Sequence, residues 1–344
     1  MSTQQTQQQD AHAAQPTPER IFQTLFGYQQ TAAMRAAIEL DIFTAISEGN
    51  DTPEKIAARC GCAERGARIL CDYMTIQGFL TKQGNAYALT PESQIFLVRT
   101  SPAYVGGVAN FLARGSLVEA YQTFTDSVRK GGTTMPEQGS MTPEHPMWEE
   151  FARSMVAMMR PPAEAIAEIA GAGGALKVLD IAAGHGIFGI TIAQKNAQAE
   201  IYPVDWKNVL AIAEENAQRA GVSDRYHLIP GSAFDVDFGA DYGVALLTNF
   251  LHHFDPPTNE RLLSKVYAAL KPGGRAITLE FVPNEDRVTP PMAAAFSLTM
   301  LGSTERGDAY TFRELEEMFR HAGFARSELL PGVPGSLIIS HKGE

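Results

Sequence analysis

The sequence has few cysteines, no long apolar segment and no excess of basic residues. Only three of its 344 residues are cysteine, namely Cys60, Cys62 and Cys71. The first two are spaced wrongly for a structural zinc pair, and no nearby histidine completes a set of four ligands. We therefore expect reduced thiols and no bound metal.

The sequence also gives no sign of a membrane span or an exported protein. No apolar run approaches the roughly 20 residues that cross a bilayer. The first 19 residues are polar and glutamine-rich, with no apolar stretch typical of a signal peptide. We predict a cytoplasmic protein without a membrane partner, and a disordered tail over residues 1–18.

The net charge of −11 disfavours a nucleic-acid partner, because binding phosphates requires a clustered basic surface. An apolar content of 44% is that of an ordinary globular protein. At 344 residues the chain is long enough for two domains, each with its own core.

The most informative segment is KVLDIAAGHGIFG, residues 177–189. An apolar run ends at Gly184 and Gly186, and a helix-forming segment follows, so the pattern predicts a buried strand, a tight turn and a helix. Glycines let a backbone approach a nucleotide-like ligand, and Asp180 at the strand end offers a carboxylate. The alternative is an ordinary strand-to-helix turn with small residues that serve packing.

The N-terminal part has the pattern of a winged helix. Apolar residues at helical spacing over 19–49 predict two helices too apolar to stand on a surface, and residues 51–90 read as helix, helix and β-hairpin. Acidic residues outnumber basic ones over 21–100. We therefore favour a dimerisation domain over residues 19–100, with DNA binding by a ligand-sensing regulator as the alternative.

Residues 101–172 are mainly helical and are expected to form a linker and substrate-pocket region, interrupted by a loop over 131–146. A predicted helix over 148–159 contains Met155 and other methionines at helical spacing. Such a stripe belongs either to a core or to a pocket for a flat apolar molecule.

From residue 173 to 344, strands and helices alternate, which predicts a Rossmann-like, doubly wound parallel sheet of seven strands closed by an antiparallel hairpin. The predicted strands are 178–182, 200–204, 226–230, 244–248, 275–281, 325–330 and 336–341. The predicted helices are 191–198, 206–221, 257–270 and 311–322. Ligands bind such sheets beyond the carboxyl ends of the strands.

Several polar or small residues follow those strand ends. Asp205 can accept both ribose hydroxyls of an adenosine-containing ligand, and Trp206 can cover the adenine. The turn after the third strand offers Ser232, Ala233 and Phe234 for an adenine edge.

A nicotinamide dehydrogenase is the first alternative, because Gly184, Gly186 and Gly189 satisfy the dinucleotide fingerprint. Two features of the sequence disfavour a dehydrogenase. The turn LKPGG, residues 270–274, leads into a strand that ends at Glu280, and NFLHHFD, residues 249–255, follows the fourth strand.

Residues 177–342 resemble a class I S-adenosylmethionine-dependent methyltransferase. With the winged-helix front end, the chain is similar to the small-molecule O-methyltransferases that include plant caffeate-type enzymes and bacterial natural-product enzymes. The motifs VLDIAAGHG, NFLHHFD and LKPGG carry the resemblance. It implies S-adenosylmethionine as cofactor, a small aromatic or apolar acceptor from secondary metabolism, and a homodimer formed through the N-terminal domain.

The resemblance also implies roles for particular residues. His252 falls where the family has its general base, and Glu280 where it has the acid that orients this base. A second orienting glutamate falls near Ala309, which leaves Asp308 as a substitute. Besides the residues already named, Ala182 and Asn249 are expected at the cofactor. The expected acceptor-site residues are Met155, Phe250, Phe296 and Met300.

The chain departs from the family pattern at three places. Ala182 and Ala183 stand where the family has glycines, Ser232 replaces the adenine-binding acid, and Thr248 replaces a lysine. Backbone amides and Asp205 still allow cofactor binding. Methylation of carbon or nitrogen therefore stays an alternative to methylation of a hydroxyl.

Overall fold

A computed structural model describes residues 16–113, 115–135, 144–331 and 336–344. The chain divides into two compact units, one up to Ser101 and one from Pro102 to Glu344. Most of the predicted tail, half of the predicted loop over 131–146 and nearly all of the link in the terminal hairpin lie outside the described residues. The domain boundaries at residues 18, 100 and 172 stay predictions.

The first unit is helical with one β-hairpin. Its elements are α1 (Glu19–Leu25), α2 (Gly27–Glu39), α3 (Ile42–Ser47), α4 (Pro53–Cys60), α5 (Glu64–Ile76), β1 (Leu80–Gln83), β2 (Ala86–Leu89) and α6 (Pro91–Phe96). The predicted order of helix, helix and hairpin over 51–90 is confirmed. The expectation of two helices over 19–49 was wrong, because the chain breaks at Phe26 and again at Asp41, whose φ of 61° stops a right-handed helix.

The first part of the second unit is a set of short helices. They are α7 (Val108–Leu112), α8 (Gly115–Gln122), α9 (Phe124–Lys130), α10 (Met147–Ser154) and α11 (Val156–Ala170). The single helix predicted over 148–159 is in fact two, which meet at Met155. Within the described residues, no helix combines the length and the apolar character that crossing a membrane requires.

The remainder forms the mixed seven-stranded sheet. Its strands are β3 (Leu176–Ile181), β4 (Ala199–Asp205), β5 (Ile229–Pro230), β6 (Tyr242–Thr248), β7 (Leu270–Glu280), β8 (Arg326–Pro331) and β9 (Ser336–His341). Its helices are α12 (Ile187–Lys195), α13 (Lys207–Arg219), α14 (Pro256–Ala269), α15 (Pro291–Ser303) and α16 (Phe312–His321). The strand order is β5-β4-β3-β6-β7-β9-β8, and only the pairings of β9 are antiparallel.

The sheet separates two apolar cores because successive side chains of a strand point to opposite faces. Val178 packs with residues of α11, α12 and α13, whereas Leu179 packs with residues of α14 and α16. The neighbouring strand repeats the pattern with Leu246 and Leu247. The predicted Rossmann-like fold class, with its seven strands, is thereby confirmed.

Three local expectations differ from the structure. Helix α12 begins at Ile187, four residues before the predicted start, because Gly186 adopts a left-handed conformation and caps it. The strand predicted over 226–230 is shorter in the structure, where β5 contains only Ile229 and Pro230, and Tyr226 forms one isolated bridge to Ile201. The motif LKPGG is a bulge within β7, since Leu270 pairs with Tyr242 and the next paired residue is Arg275.

Candidate active site

The strand order brings the loops that follow β3, β4, β5, β6 and β7 to one edge of the sheet. These five strands are parallel neighbours, so their carboxyl ends lie side by side. The order reverses between β3 and β6, which opens a crevice at the point where ligands bind sheets of this kind. The candidate residues for cofactor and base therefore converge on this edge.

The glycine turn, residues 182–186, follows β3. Ala182, Gly184 and Gly186 have φ values of 53°, 56° and 73°, and the amide of Gly186 donates to the Ala183 carbonyl at 2.8 Å. Any side chain at Gly186 would run into the Tyr226 hydroxyl, so the close approach requires glycine there. Ala182 adopts the same left-handed conformation without being glycine.

Asp205 ties the glycine turn to the end of β4. Its Oδ2 accepts a hydrogen bond from the Gly184 amide at 2.8 Å, and its Oδ1 accepts one from the Trp206 amide at 2.7 Å. Burial raises the pKa of Asp205 to about 6, although both amides favour the ionised form. A carboxylate oxygen has two lone pairs, so each oxygen can accept one further hydrogen bond.

Asp180 lies one residue before the end of β3 and is buried. Its side chain is 0% exposed, because it shares the strand face of Val178 and points under α12. Its Oδ2 accepts a hydrogen bond from the Gly189 amide at 3.2 Å, and burial raises its pKa to about 7. This hydrogen bond holds the start of α12, and the expected contact of Asp180 with a ligand stays a prediction.

The turn after β5 is held by its own polar groups. The Gly231 amide donates to the Asp205 carbonyl at 2.9 Å, and the Phe234 amide donates to the Ser232 hydroxyl at 3.2 Å. The Ser232 proton stays available for a ligand, since the hydroxyl accepts in this contact. Ala233 is buried, whereas Phe234 is half-buried and edge-on to Phe254 at 5.0 Å.

His252 and Glu280 form a buried pair at the ends of β6 and β7. His252 Nδ1 lies 2.6 Å from Glu280 Oε2, and the two side chains are 6% and 3% exposed. The other carboxylate oxygen, Oε1, accepts hydrogen bonds from the amides of Phe250 at 3.0 Å and Leu251 at 2.8 Å. One carboxylate thus fixes both the imidazole and the backbone that carries it.

The pair determines which nitrogen of His252 is able to accept a proton. An ionised carboxylate only accepts hydrogen bonds, so the proton sits on Nδ1 and the lone pair on Nε2. Among the described residues Nε2 has no hydrogen-bond partner. An imidazole in this state has the properties of a general base.

The side chain of Asp308 pairs with an arginine rather than with His252. Its side chain is 39% exposed and forms an ion pair with Arg287 at 3.3 Å, and its Oδ1 accepts from the Ala309 amide. Only its backbone meets the histidine, through an amide that donates to the His252 carbonyl at 3.0 Å. In the structure Glu280 contacts His252 Nδ1 and the Asp308 side chain does not, so a catalytic role for Asp308 stays a prediction.

Aromatic side chains surround the imidazole. The rings of His252 and Phe296 meet edge-on at 4.8 Å, and Phe296 stacks on Phe281 at 4.0 Å. Phe250 is half-buried next to this group. Met155 and Met300 are packed side chains, only 5% and 3% exposed. For all four predicted acceptor-site residues, contact with an acceptor stays a prediction.

Asn249, whose expected contact with the cofactor stays a prediction, lies at this edge together with His253, for which no role was predicted. Asn249, with φ of 53°, donates from Nδ2 to the sulfur of Met159 at 3.6 Å. His253 lies 4.2 Å from the ring of His252 and 5.6 Å from that of Trp148. The methionine stripe gave a signal for Met159, but helical spacing alone does not tell a pocket wall from a core.

Two further histidines at this edge are neutral. Burial lowers the pKa of His185 to about 4, and its Nδ1 accepts a hydrogen bond from the Ile187 amide at 3.2 Å. Burial and the adjacent His252 hold the pKa of His253 well below its ordinary value. A low pKa makes each of these two histidines a weak base.

Two sequence families match the chain. The O-methyltransferase dimerisation domain matches residues 22–99, which contain α2 to α6, and a methyltransferase domain matches residues 178–274. The second match spans the glycine turn, Asp205 and His252.

Individual proteins match over almost the whole chain. A crystal structure from Nostoc punctiforme, provisionally described as an O-methyltransferase, is 50% identical with a TM-score of 0.93 over 95% of this chain and 100% of its own. The 3-hydroxy-5-methyl-1-naphthoate 3-O-methyltransferase of Streptomyces sahachiroi is 27% identical over 86% of each chain. The L-tyrosine C(3)-methyltransferase of Streptomyces lavendulae is 27% identical over 92% of this chain and 91% of its own. The chain belongs to the S-adenosylmethionine-dependent O-methyltransferase family, in which a dimerisation domain precedes the methyltransferase domain.

Proposed function

We propose that the protein transfers a methyl group from S-adenosylmethionine to a hydroxyl of a small aromatic acceptor, with His252 as general base. One observation carries the proposal: the buried Glu280 holds His252 Nδ1 at 2.6 Å, at the sheet edge where Asp205 anchors the glycine turn. A base and an adenosine site at one edge are what this transfer requires.

The residues present fit the cofactor. The remaining lone pairs of Asp205 suit two ribose hydroxyls, and Ser232 with the amides of Ala233 and Phe234 suits an adenine edge. Ala182 is part of the glycine turn, and at Gly184 an added Cβ would meet no atom nearer than 3.8 Å, so the backbone there is open to the methionine part. We assign Trp206 and Asn249 to the same site from their positions at the ends of β4 and β6.

The start of α12 supports this cofactor over a dinucleotide. A pyrophosphate binds the free amides in the first turn of a helix. Here the Ile187 amide donates to His185 Nδ1 and the Gly189 amide donates to Asp180. With those donors occupied and an acidic side chain behind them, the helix end is poorly suited to a phosphate.

In the proposed reaction His252 accepts the acceptor's hydroxyl proton at Nε2 and becomes an imidazolium. Glu280 stabilises that charge through its hydrogen bond to Nδ1. Bound S-adenosylmethionine supplies an electrophilic methyl group on a sulfonium. Phe296 and Phe281 exclude water from the base and offer apolar surface to an aromatic ring.

Methylation of a ring carbon beside a hydroxyl is the second candidate. It is favoured by the likeness to the tyrosine C(3)-methyltransferase. Removing the proton from a phenol raises the nucleophilicity of its oxygen and of the adjacent ring carbons, so the same base serves both outcomes. A panel of phenols, catechols and keto acids, with the methyl position read by NMR, distinguishes oxygen from carbon as the site.

We propose a homodimer formed through the first unit. The matching dimerisation domain supports it, as do large apolar side chains of α1 that no part of the described chain buries. Ile21 and Leu25 are 63% and 64% exposed. Light scattering should give twice the chain mass of 37.3 kDa, and a mass of one chain would contradict the proposal.

Calorimetry tests the cofactor assignment directly. We expect heat on titration with S-adenosylhomocysteine and none with NADH. Asp205→Asn should weaken the affinity for S-adenosylhomocysteine by about tenfold to a hundredfold, because hydrogen bonds to a charged group are lost. Binding with NADH alone would reverse the assignment.

The same titration should depend on pH. Burial raises the pKa of Asp205 to about 6, and ribose hydroxyls donate to the ionised form. Protonation therefore competes with binding, so the affinity should fall as the pH drops below 6 and be constant well above it. Asp205→Asn should remove this dependence. If the dependence persists in that variant, another group is titrating.

A further inference from the structure

A lysine of α14 holds the β5 loop, residues 231–238. Lys265 Nζ donates hydrogen bonds to the carbonyls of Ala233, at 3.0 Å, and of Val236. The same ammonium lies 4.1 Å from the centre of the Phe238 ring. One side chain thus contacts three residues of a loop that belongs to another part of the sequence.

Among the described residues the β5 loop has one backbone hydrogen bond to β4, from the Gly231 amide to the Asp205 carbonyl, and its other backbone bonds, such as those from the Asp235 and Val236 amides to the Ser232 carbonyl, lie within the loop. It follows a strand of two residues, which pairs with β4 only at Ile229 and Pro230. A longer strand would fix the loop through ladder hydrogen bonds, but here the interstrand pairing ends where the loop starts. The three donors of an ammonium, two of them used on carbonyls, take over this task.

The surroundings of Lys265 are consistent with a fixed, charged side chain. It is half-buried, and burial lowers its pKa while Asp235 and Asp237 of the same loop raise it. The loop therefore supplies carbonyl dipoles, a ring face and two carboxylates that all favour the cation. A methionine, which is uncharged and has no N–H donor, would lose both hydrogen bonds and the attraction between the charge and the ring.

We propose that Lys265 is a positioning residue for the cofactor, which sets the geometry of Ser232, Ala233 and Phe234 against the adenine without touching it. The inference rests on the proposed function, since it assumes that this loop meets the adenosine part. A site loses affinity when its contacting groups are held loosely. Removing the lysine should therefore lower the affinity for the cofactor by more than its effect on the stability of the fold would explain.

The chain contains a matched control in Lys342. Its Nζ donates to the carbonyls of Tyr267 at 2.8 Å and Leu270 at 2.6 Å, and it lies 4.5 Å from the centre of the Tyr267 ring. The contacts have the same chemistry, two carbonyls and one aromatic face. Leu270 starts β7, however, so this lysine lies at the amino edge of the sheet, opposite the ligand edge.

The test compares Lys265→Met with Lys342→Met by calorimetry with S-adenosylhomocysteine and by thermal unfolding. We expect both variants to lower the unfolding temperature by similar amounts. Only Lys265→Met should weaken the binding of S-adenosylhomocysteine, by about tenfold, and Lys265→Arg should restore most of the loss because a guanidinium also donates to two carbonyls. If Lys265→Met does not fold, Lys265→Gln takes its place with the same expectation.

The outcomes separate the two proposals. If the unaltered protein does not bind S-adenosylhomocysteine, the proposed function fails. If it does bind but Lys265→Met binds equally well, or if Lys342→Met loses as much affinity, then Lys265 has no positioning role and the lysine serves only stability. Loss in Lys265→Met alone, with rescue by arginine, supports the inference.

Discussion

Replacing His252 by alanine should lower the turnover of methyl transfer by about a hundredfold or more and leave the affinity for S-adenosylhomocysteine nearly unchanged. We expect the imidazole to accept the hydroxyl proton at Nε2. Burial lowers the pKa of His253 and of His185 and makes both weaker bases, and Glu280 already accepts hydrogen bonds from the amides of Phe250 and Leu251 and contacts Nδ1. The measurement is initial rate on the best acceptor of the phenol panel, with calorimetry in parallel.

A second histidine–glutamate pair supplies the control for this experiment. His227 Nε2 lies 2.5 Å from Glu200 Oε2, but this pair is exposed. His227→Ala removes the same kind of interaction and should leave the rate within about twofold of the unaltered enzyme. A His252→Ala variant with an unaffected rate would remove the histidine from the mechanism and leave proximity of the two substrates as the source of catalysis.

Much of the fold follows from local patterns in the sequence. The alternation of apolar strands with amphipathic helices predicted the doubly wound sheet, and β9 was predicted with the bounds that the structure gives it. The predicted boundaries of helices were wrong where a local backbone conformation ends or starts the helix. The composition around Met155 does not indicate a break between α10 and α11. Asp41 ends the run of helical residues between α2 and α3 because its φ is left-handed, and an aspartate side chain does not by itself predict that conformation.

The site could be predicted only as far as strand ends identify it. Asp205, Ser232, Asn249 and His252 could be selected as candidates because each ends or follows a strand of the parallel sheet, and their roles stay predictions. Its position near a strand end did not indicate that Asp180 is buried, because its side chain lies on the strand face that α12 covers. The position of a strand end also does not indicate which acid contacts an imidazole: in the structure Glu280 contacts His252 Nδ1, whereas Asp308 pairs with Arg287.

One departure from the family pattern has a physical cost. Ala182 adopts a φ of 53°, where an L-residue with a Cβ is disfavoured by about 1–2 kcal/mol relative to right-handed backbone. The neighbouring amides of Ala183 and Gly184 donate to β4 at 3.2 Å and 2.8 Å, which holds the turn in this conformation. Strain at one residue is thus balanced by hydrogen bonds that also link the glycine turn to Asp205.

Replacing Glu280 by glutamine should reduce turnover by about a hundredfold to ten-thousandfold with little loss of stability. The glutamine oxygen is able to keep the amides of Phe250 and Leu251, but its NH2 group then faces His252 Nδ1. Two donors do not form a hydrogen bond, so the imidazole has to carry its proton on Nε2 instead. The base would then be present, correctly located and in the wrong tautomer.

The variant Glu280→Ala distinguishes the loss of the correct histidine tautomer from the loss of the hydrogen bonds that hold the loop after β6. It leaves the part-buried amide of Phe250 and the buried amide of Leu251 without this acceptor, and we expect it to lower the free energy of unfolding by about 2–4 kcal/mol. Glu280→Gln should unfold within about 1 kcal/mol of the unaltered protein, because the amides keep an acceptor. Turnover, S-adenosylhomocysteine affinity and denaturant unfolding are measured on both variants, with Glu200→Gln as the exposed counterpart. If Glu280→Gln keeps full activity, the carboxylate serves the loop alone and does not set the state of the histidine.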